Sequence, residues 1–375
     1  MEQIGWNATD EDKTMRIEDI DSNFKVESNI KREGLRFIDA NANPFKIYGL
    51  IRISDRWVRM PLDIAQSVSQ NVYQLSKHTS GGRVRFVTDS PYVAIKTVQP
   101  EIGLFPHMPL TGSSGFDLYI GEGRDSKFFR SFMPPASITN CGGYESVIDL
   151  TREIVADGKE HTFTINFPLY QGVNSLYIGL KEGSVIKEAP EYETTAPFVY
   201  YGSSITQGGC ASRPGACYQA WLSRWFDADY LTLGFSGSAK GEDEIADYIA
   251  SLPMSVFFYD YDYNSPTYET LVGTHEKMLR KIRAAHPDIP IIVASRPCVA
   301  FEGEERARRD LIGENCAKLI AEGDKKISFV PGEELLALCG DEGTVDHCHP
   351  TDLGFFSMAT RFAAELEKYG FKRSN

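Results

Sequence analysis

The sequence predicts an α/β protein in two parts: an all-β, jelly-roll-like sandwich over residues 1–190, then a three-layer α/β/α domain with a parallel sheet over residues 191–375. Three observations carry this. At about 150 residues per domain, a chain of 375 residues is long enough for two. From Phe45 to about Gly183 the apolar residues recur with a period of two, and turn residues interrupt them often. After Lys187–Pro197, a segment with two prolines and three glutamates that reads as a linker, the period changes and short apolar strands alternate with helical spacing.

In the first part the clearest strand is His161–Phe167. Phe163, Ile165 and Phe167 alternate with Thr162, Thr164 and Asn166, so one face is expected to be buried and the other wet, with Asp157-Gly158 as the preceding turn. Lys46–Ile53, Arg83–Val87, Val93–Val98, Phe116–Ile120, Ser146–Leu150 and Ser175–Leu180 are further candidates, most of them rich in β-branched or aromatic residues. Several short strands separated by turns suit a sandwich. Met1–Asn43 is polar and weakly patterned, and reads as an arm, a capping strand or a partly disordered segment.

The second part begins with a strand at Phe198–Tyr201. A helix near Tyr218–Phe226, a strand near Tyr230–Leu233, a helix near Glu242–Ile249 and a strand at Val256–Tyr259 follow. The helix over Tyr268–Ala285 puts Leu271, Met278, Leu279 and Ile282 on one face. The alternation then runs through Ile289–Ala294, Glu304–Ile320, Ile327–Val330 and a closing helix, Leu353–Leu366. Such βαβ units give a parallel sheet whose site lies at the C-terminal ends of its strands.

Composition narrows the function classes. Apolar residues at 42% and charged residues at 24% are ordinary globular values. The net charge, 39 minus 52 or -13, repels phosphate backbones and anionic bilayers, so neither nucleic acid nor a membrane is an expected partner. No run approaches the roughly 18 apolar residues of a membrane span. The N-terminus, Met1–Asn7, has neither a basic start nor an apolar stretch, and the seven cysteines are scattered without a Cys-x-x-Cys pair; together these suggest a cytoplasmic protein with reduced thiols.

Directly after the first strand of the second part stands Gly202-Ser203-Ser204-Ile205-Thr206-Gln207-Gly208. It is either a polar loop or a serine displayed on a strand-to-helix turn whose glycines allow close approach. It is not Gly-x-Ser-x-Gly, which disfavours the α/β-hydrolase elbow. Near the end, Asp346-His347-Cys348-His349-Pro350 lies between the last strand and the last helix. Asp346 can accept from Nδ1–H of His349 and leave Nε2 to take a proton. The same segment can also be a helix start capped by Thr351 or Asp352, or a metal cluster of His347, Cys348 and His349. Three adjacent residues cannot easily all face one ion, and no second ligand cluster has zinc-like spacing, so no metal is expected. Gly234-Phe235-Ser236-Gly237-Ser238 follows the second strand and Asp262-Tyr263-Asn264 the third; the Gly237 N–H and the Asn264 amide are candidate oxyanion donors.

Four signals in the order Ser, Gly, Asn, His, each after a strand, give Phe198 to about Tyr369 a resemblance to the SGNH, or GDSL-type, hydrolase superfamily. The long form Tyr200–Gly209, continuing into Ala211-Ser212-Arg213-Pro214-Gly215, resembles bacterial members with an N-terminal β-sandwich. The resemblance implies a flavodoxin-like hydrolase domain in which Ser204 is the nucleophile, Ser204 N–H, Gly237 and Asn264 form the oxyanion hole, and Asp346 and His349 supply the base. It also implies that no cofactor is needed. Two departures stand out: Ser203 where the family usually has Asp, and Asp262 and Ser265 where it usually has Gly and Asp.

These assignments lead to a serine esterase for short acyl, above all acetyl, esters on carbohydrate, with a small-molecule or oligosaccharide ester as substrate. Arg213 and Asp262 are candidate substrate-binding residues, Arg213 with a salt bridge as the alternative. The loop His107–Asp117 is expected to reach over the cleft. The sandwich is open to three roles: binding glycan, shaping the site, or pairing subunits into a homo-oligomer. Two other readings use the same sequence, an acyltransferase or thioesterase on the same triad, and a carbohydrate-binding protein whose hydrolase domain is idle.

Overall fold

The computed structural model describes residues 30–136, 138–139, 142–150 and 158–373. Its first half is built on two large antiparallel sheets, with a two-stranded one, Ile51–Ile53 and Arg56–Val58, besides. One has four strands, in the spatial order Leu35–Asp39, Ser175–Lys181, Tyr92–Val98 and Gly143–Asp149. The other runs Ile186–Lys187, Arg83–Thr88, His161–Asn166, Phe116–Ile120 and Lys127–Phe132, with Lys46–Tyr48 also paired to Arg83–Thr88. Between them lies a core that includes Phe86, Ile95, Phe116, Leu118, Phe163, Ile165 and Ile178. Each such side chain contributes about 1.5–3 kcal/mol when removed from water. Within the N-terminal stretch expected to be an arm, a cap or disordered, Leu35–Asp39 is an edge strand; residues 1–29 and the Asp157 of the expected turn lie outside the described residues.

The second half is a parallel sheet of β1 (Thr194–Gly202), β2 (Ala228–Gly234), β3 (Val256–Asp260), β4 (Ile291–Ala294) and β5 (Ile327–Val330), ordered β2-β1-β3-β4-β5. The chain reverses direction across the sheet between β1 and β3, the topological switch point where ligands bind in open α/β sheets. Alternate residues of β1 feed two cores: Phe198 and Tyr200 face one, Val199 and Tyr201 the other. Helices α1 (Ser204–Gln207), α2 (Tyr218–Phe226), α3 (Asp243–Ser251), α4 (Tyr268–Ala285), α5 (Gly303–Ala321), α6 (Gly332–Leu335) and α7 (Asp352–Lys368) complete this half. On α4 the expected apolar face gains His275, buried at helical spacing and bonded to Asn315. Burial pushes its pKa down to about 3, so it packs as a neutral ring.

Three expectations need correction. The expected linker is partly structured, because Ile186–Lys187 pairs into the sandwich and β1 already begins at Thr194. The polar face of His161–Asn166 is not wet: Thr162 and Asn166 are buried, because the second half packs against that sheet. There the Arg83 guanidinium pairs with Asp229 and lies 3.8 Å from the Tyr230 ring centroid. Finally, helices Leu62–Val68 and Gln70–Leu75 intervene between strands where only turns were expected. Their Ala65 and Val72 belong to the core of the second half, which binds this insertion to the parallel sheet.

Candidate active site

The β1–α1 turn is shaped by close packing. A Cβ on Gly202 would stand 2.3 Å from the Asp260 carbonyl oxygen, and one on Gly234 would stand 2.2 Å from the Gln207 nitrogen. Only glycine fits at either point. Ser203 is the N-cap of α1 and accepts from the Ile205 N–H at 3.2 Å, doing there the capping work open to an Asp. Ser204 therefore opens the helix, where the N–H groups of the first turn lack helical acceptors. It is only 5% exposed.

After β5 the chain forms the turn that carries the acid and the imidazole. Asp346 Oδ1 accepts from the backbone N–H groups of Cys348 at 3.1 Å and His349 at 2.7 Å. Its Oδ2 lies 2.8 Å from Nδ1 of His349. A carboxylate can only accept, so Nδ1 carries the proton and Nε2 is the acceptor. Nε2 lies 3.0 Å from Ser204 Oγ. Ser204, His349 and Asp346 are thus joined in one hydrogen-bonded line.

The side chain of Cys348 raises the His349 pKa; burial opposes it, Asp346 adds to it, and the result is about 9. For Asp346, burial acts upward, but the hydrogen bonds from His349 bring the carboxyl below its ordinary range. Thr351 is the N-cap of α7, as the sequence suggested, but makes no side-chain cap bond and donates to the Gly343 carbonyl instead.

The Gly237 N–H makes no hydrogen bond to any described residue, and the space beside its Cα is open. The Asn264 amide donates to the Phe235 carbonyl at 2.9 Å, which fixes the side chain against the Gly237 turn and leaves its second N–H unused. Asp262 is buried; its Oδ2 accepts from the Arg296 N–H and its Oδ1 has no partner among the described residues. Burial pushes this carboxyl up to about 6. It lines a groove of about 430 Å³ with Tyr263, Arg296 and Arg308. Arg213 pairs with Asp352 at 3.3 Å, approaches Asp117 at 3.9 Å and lies 4.1 Å from the Phe128 ring centroid, the salt-bridge alternative in form.

The expected loop does reach the site, since the His107 ring stands 5.5 Å, centroid to centroid, from that of His349. One ligand atom from each of His107, Cys210 and His349 lies within 4.8 Å of the others, and the same holds for Asp346, Cys348 and His349. His347, by contrast, turns outward with its side chain 83% exposed, so only two of the three adjacent residues considered as metal ligands face a common point.

Several supporting residues escaped the sequence reading. The Tyr170 hydroxyl donates to the Ser204 carbonyl at 3.0 Å. Fully buried Arg59 donates to the carbonyls of Leu75, His78, Thr232 and Gly234 and lies 4.8 Å from the Phe235 ring centroid. Asp117 accepts from the Gly215 N–H at 2.7 Å and from the Asn166 amide at 2.7 Å, while the Tyr119 hydroxyl donates to the Gly215 carbonyl. An Asp on the buried half of a strand, in Gly115-Phe116-Asp117-Leu118-Tyr119, was the one available signal, because an unpaired carboxylate is rarely buried.

Comparison with known proteins identifies both parts of the chain. Residues 195–367 match the GDSL-like lipase/acylhydrolase family, and residues 35–186 match the family described as the N-terminus of SGNH-hydrolase-type esterases. No curated protein matches the chain significantly. Among solved structures, a putative GDSL-like lipase from Bacteroides ovatus is 26% identical with a TM-score of 0.79, covering 91% of this chain and all of its own. The salicylyl-acyltransferase SsfX3 of a tetracycline biosynthetic pathway shares the fold at 17% identity and a TM-score of 0.73, covering 91% of this chain and 99% of its own. An acetyl xylan esterase from the rumen bacterium Butyrivibrio proteoclasticus does so at 14% and 0.56, covering 90% and 99%.

Proposed function

We propose, from the premise that this chain belongs to the SGNH, or GDSL-type, hydrolases and is a carboxylic ester hydrolase, that it cleaves short acyl esters, acetyl esters on carbohydrate foremost, through an acyl-enzyme on Ser204. The line Ser204 Oγ, His349, Asp346 carries the reading. Ser204 attacks the ester carbonyl while His349 Nε2 takes its proton, and Asp346 holds the tautomer and steadies the imidazolium. His349 then returns the proton to the leaving alkoxide, and water, activated by the same nitrogen, releases the acid. The N–H groups of Ser204 and Gly237 and the free amide hydrogen of Asn264 receive the oxyanion.

Carbohydrate is supported by the fold shared with an acetyl xylan esterase, and by the groove lined by Tyr263, a residue 41% exposed, next to Asn264. The net charge of -13 favours a neutral ester over an anionic one. Scattered free thiols and the lack of any described helix long and apolar enough to cross a membrane suit work in the cytoplasm, on soluble substrates.

The test is acid release from nitrophenyl esters of increasing acyl length and from acetylated oligosaccharides, with Ser204→Ala as the blank. Serine-dependent acetate release that falls with acyl length supports the reading. Release of longer acyl groups at equal rates overturns the acetyl preference. Capture of the acyl group by an added sugar alcohol in preference to water makes the enzyme a transferase.

A further inference from the structure

His107, Cys210 and His349 come from three separate segments: the sandwich loop, the stretch after α1, and the acid–imidazole turn. Their ligand atoms nevertheless lie within 4.8 Å of one another. Tetrahedral zinc, with bonds of about 2.0 Å to nitrogen and 2.3 Å to sulfur, sets ligand atoms roughly 3.5 Å apart. An adjustment of about an ångström closes the difference, and His107 is exposed, with its ring already against that of His349.

Two imidazoles and a thiol form a soft donor set that favours zinc over magnesium or calcium. The Nδ1 of His349 is engaged by Asp346, which leaves Nε2, the nitrogen that faces Ser204 Oγ, as the one to offer. We propose that His107, Cys210 and His349 form an inhibitory zinc site, in which the ion occupies the lone pair that would otherwise take the proton of Ser204.

On binding, the Cys210 thiol releases its proton to solvent and the thiolate joins the two neutral imidazoles, with water in the fourth position. While the ion is held, Ser204 has no base. Removal of zinc by a chelator restores the bond between Oγ and Nε2. The Cys210 N–H donates to the Pro350 carbonyl at 2.9 Å, so the backbone carrying the thiol is tied to the turn that carries His349. The sandwich would thereby control the hydrolase through one side chain, His107.

The loss of activity rests on the esterase reading; the binding of zinc does not. The experiment therefore measures both on the full chain. Free zinc is set by a metal buffer, nitrophenyl acetate hydrolysis is followed, and bound zinc is read by competition with a chromogenic chelator. Inhibition and binding are expected to share one midpoint, to be reversed by EDTA, and to be absent with magnesium or calcium. His107→Ala should raise both midpoints at least about tenfold, each read relative to that variant's own zinc-free rate. Cys210→Ser should raise the binding midpoint likewise.

Absence of zinc binding, or a midpoint unmoved by His107→Ala, overturns the site. Zinc that binds through His107 while hydrolysis continues overturns the inhibition. Binding that depends on His107, in a protein that hydrolyses no ester without zinc, supports the site and counts against the esterase reading.

Discussion

Ser204, Gly237, Asn264 and His349 all stand beyond strand ends of the C-terminal half, whereas Arg59, Asp117 and Tyr170 reach the same loops from the N-terminal half and touch them through backbone groups. In the proposed reaction the C-terminal half supplies the groups that meet the substrate, the Gly237 N–H among them, while Arg59, Asp117 and Tyr170 hold main-chain carbonyls and N–H groups in place. Reaction chemistry demands particular residue types at particular points, while a carbonyl oxygen is the same on any residue. The division of labour therefore sets what substitutions do in each half.

The largest effect should come from the reacting side. Ser204→Ala removes the nucleophile and should lower kcat for nitrophenyl acetate by ~10⁵-fold or more with the melting temperature unchanged. A fully active variant would break the comparison at its root. Asn264→Ala removes one oxyanion donor and should cost ~10²–10³-fold in kcat, with KM little changed.

Substitutions in the supporting half should be felt first as stability. Arg59→Ala leaves four carbonyls without their buried donor and should destabilise the fold by about 3 kcal/mol in denaturant titration. Because one of those carbonyls belongs to Gly234, kcat should fall as well, by about tenfold. Arg59→Ala with wild-type stability would remove the distinction between the halves.

The pH profile sharpens the picture on the acid–imidazole turn. A base works only when neutral, so kcat/KM should rise with pH as His349 loses its proton. Since the His349 pKa is raised, to about 9, that limb should lie above the 6.5 of an ordinary imidazole. Cys348→Ala removes the main cause of the rise and should move the limb toward lower pH; an unmoved limb would assign it to another group. The smallest effect is expected for Tyr170→Phe, which deletes one hydrogen bond to the Ser204 carbonyl and should lower kcat by about two- to fivefold.

The same contrast explains what could be read from the sequence. The helices Tyr218–Phe226 and Tyr268–Ala285 and the strand Ile327–Val330 follow the expected limits, because apolar spacing encodes which face is buried. The pair Asp346 and His349 was legible for a different reason: a spacing of three on a turn leaves few ways to place a carboxylate and an imidazole, whereas Ser204 was singled out by the resemblance carried by the four ordered segments. Arg59 was not legible, since nothing in Val58-Arg59-Met60 distinguishes a buried guanidinium from a surface one. The polar face of His161–Asn166 misled for a related reason. Alternation tells which side of a strand is polar, but not whether water or another part of the chain lies against it.

The insertion of Leu62–Val68 and Gln70–Leu75 into the hydrolase core has a consequence for inheritance. A recombination event that exchanged the sandwich for another module would also carry off Ala65 and Val72 from the neighbouring core, and the guanidinium that grips Gly234. The two halves therefore share their stability, since the core of the second is incomplete without residues from the first.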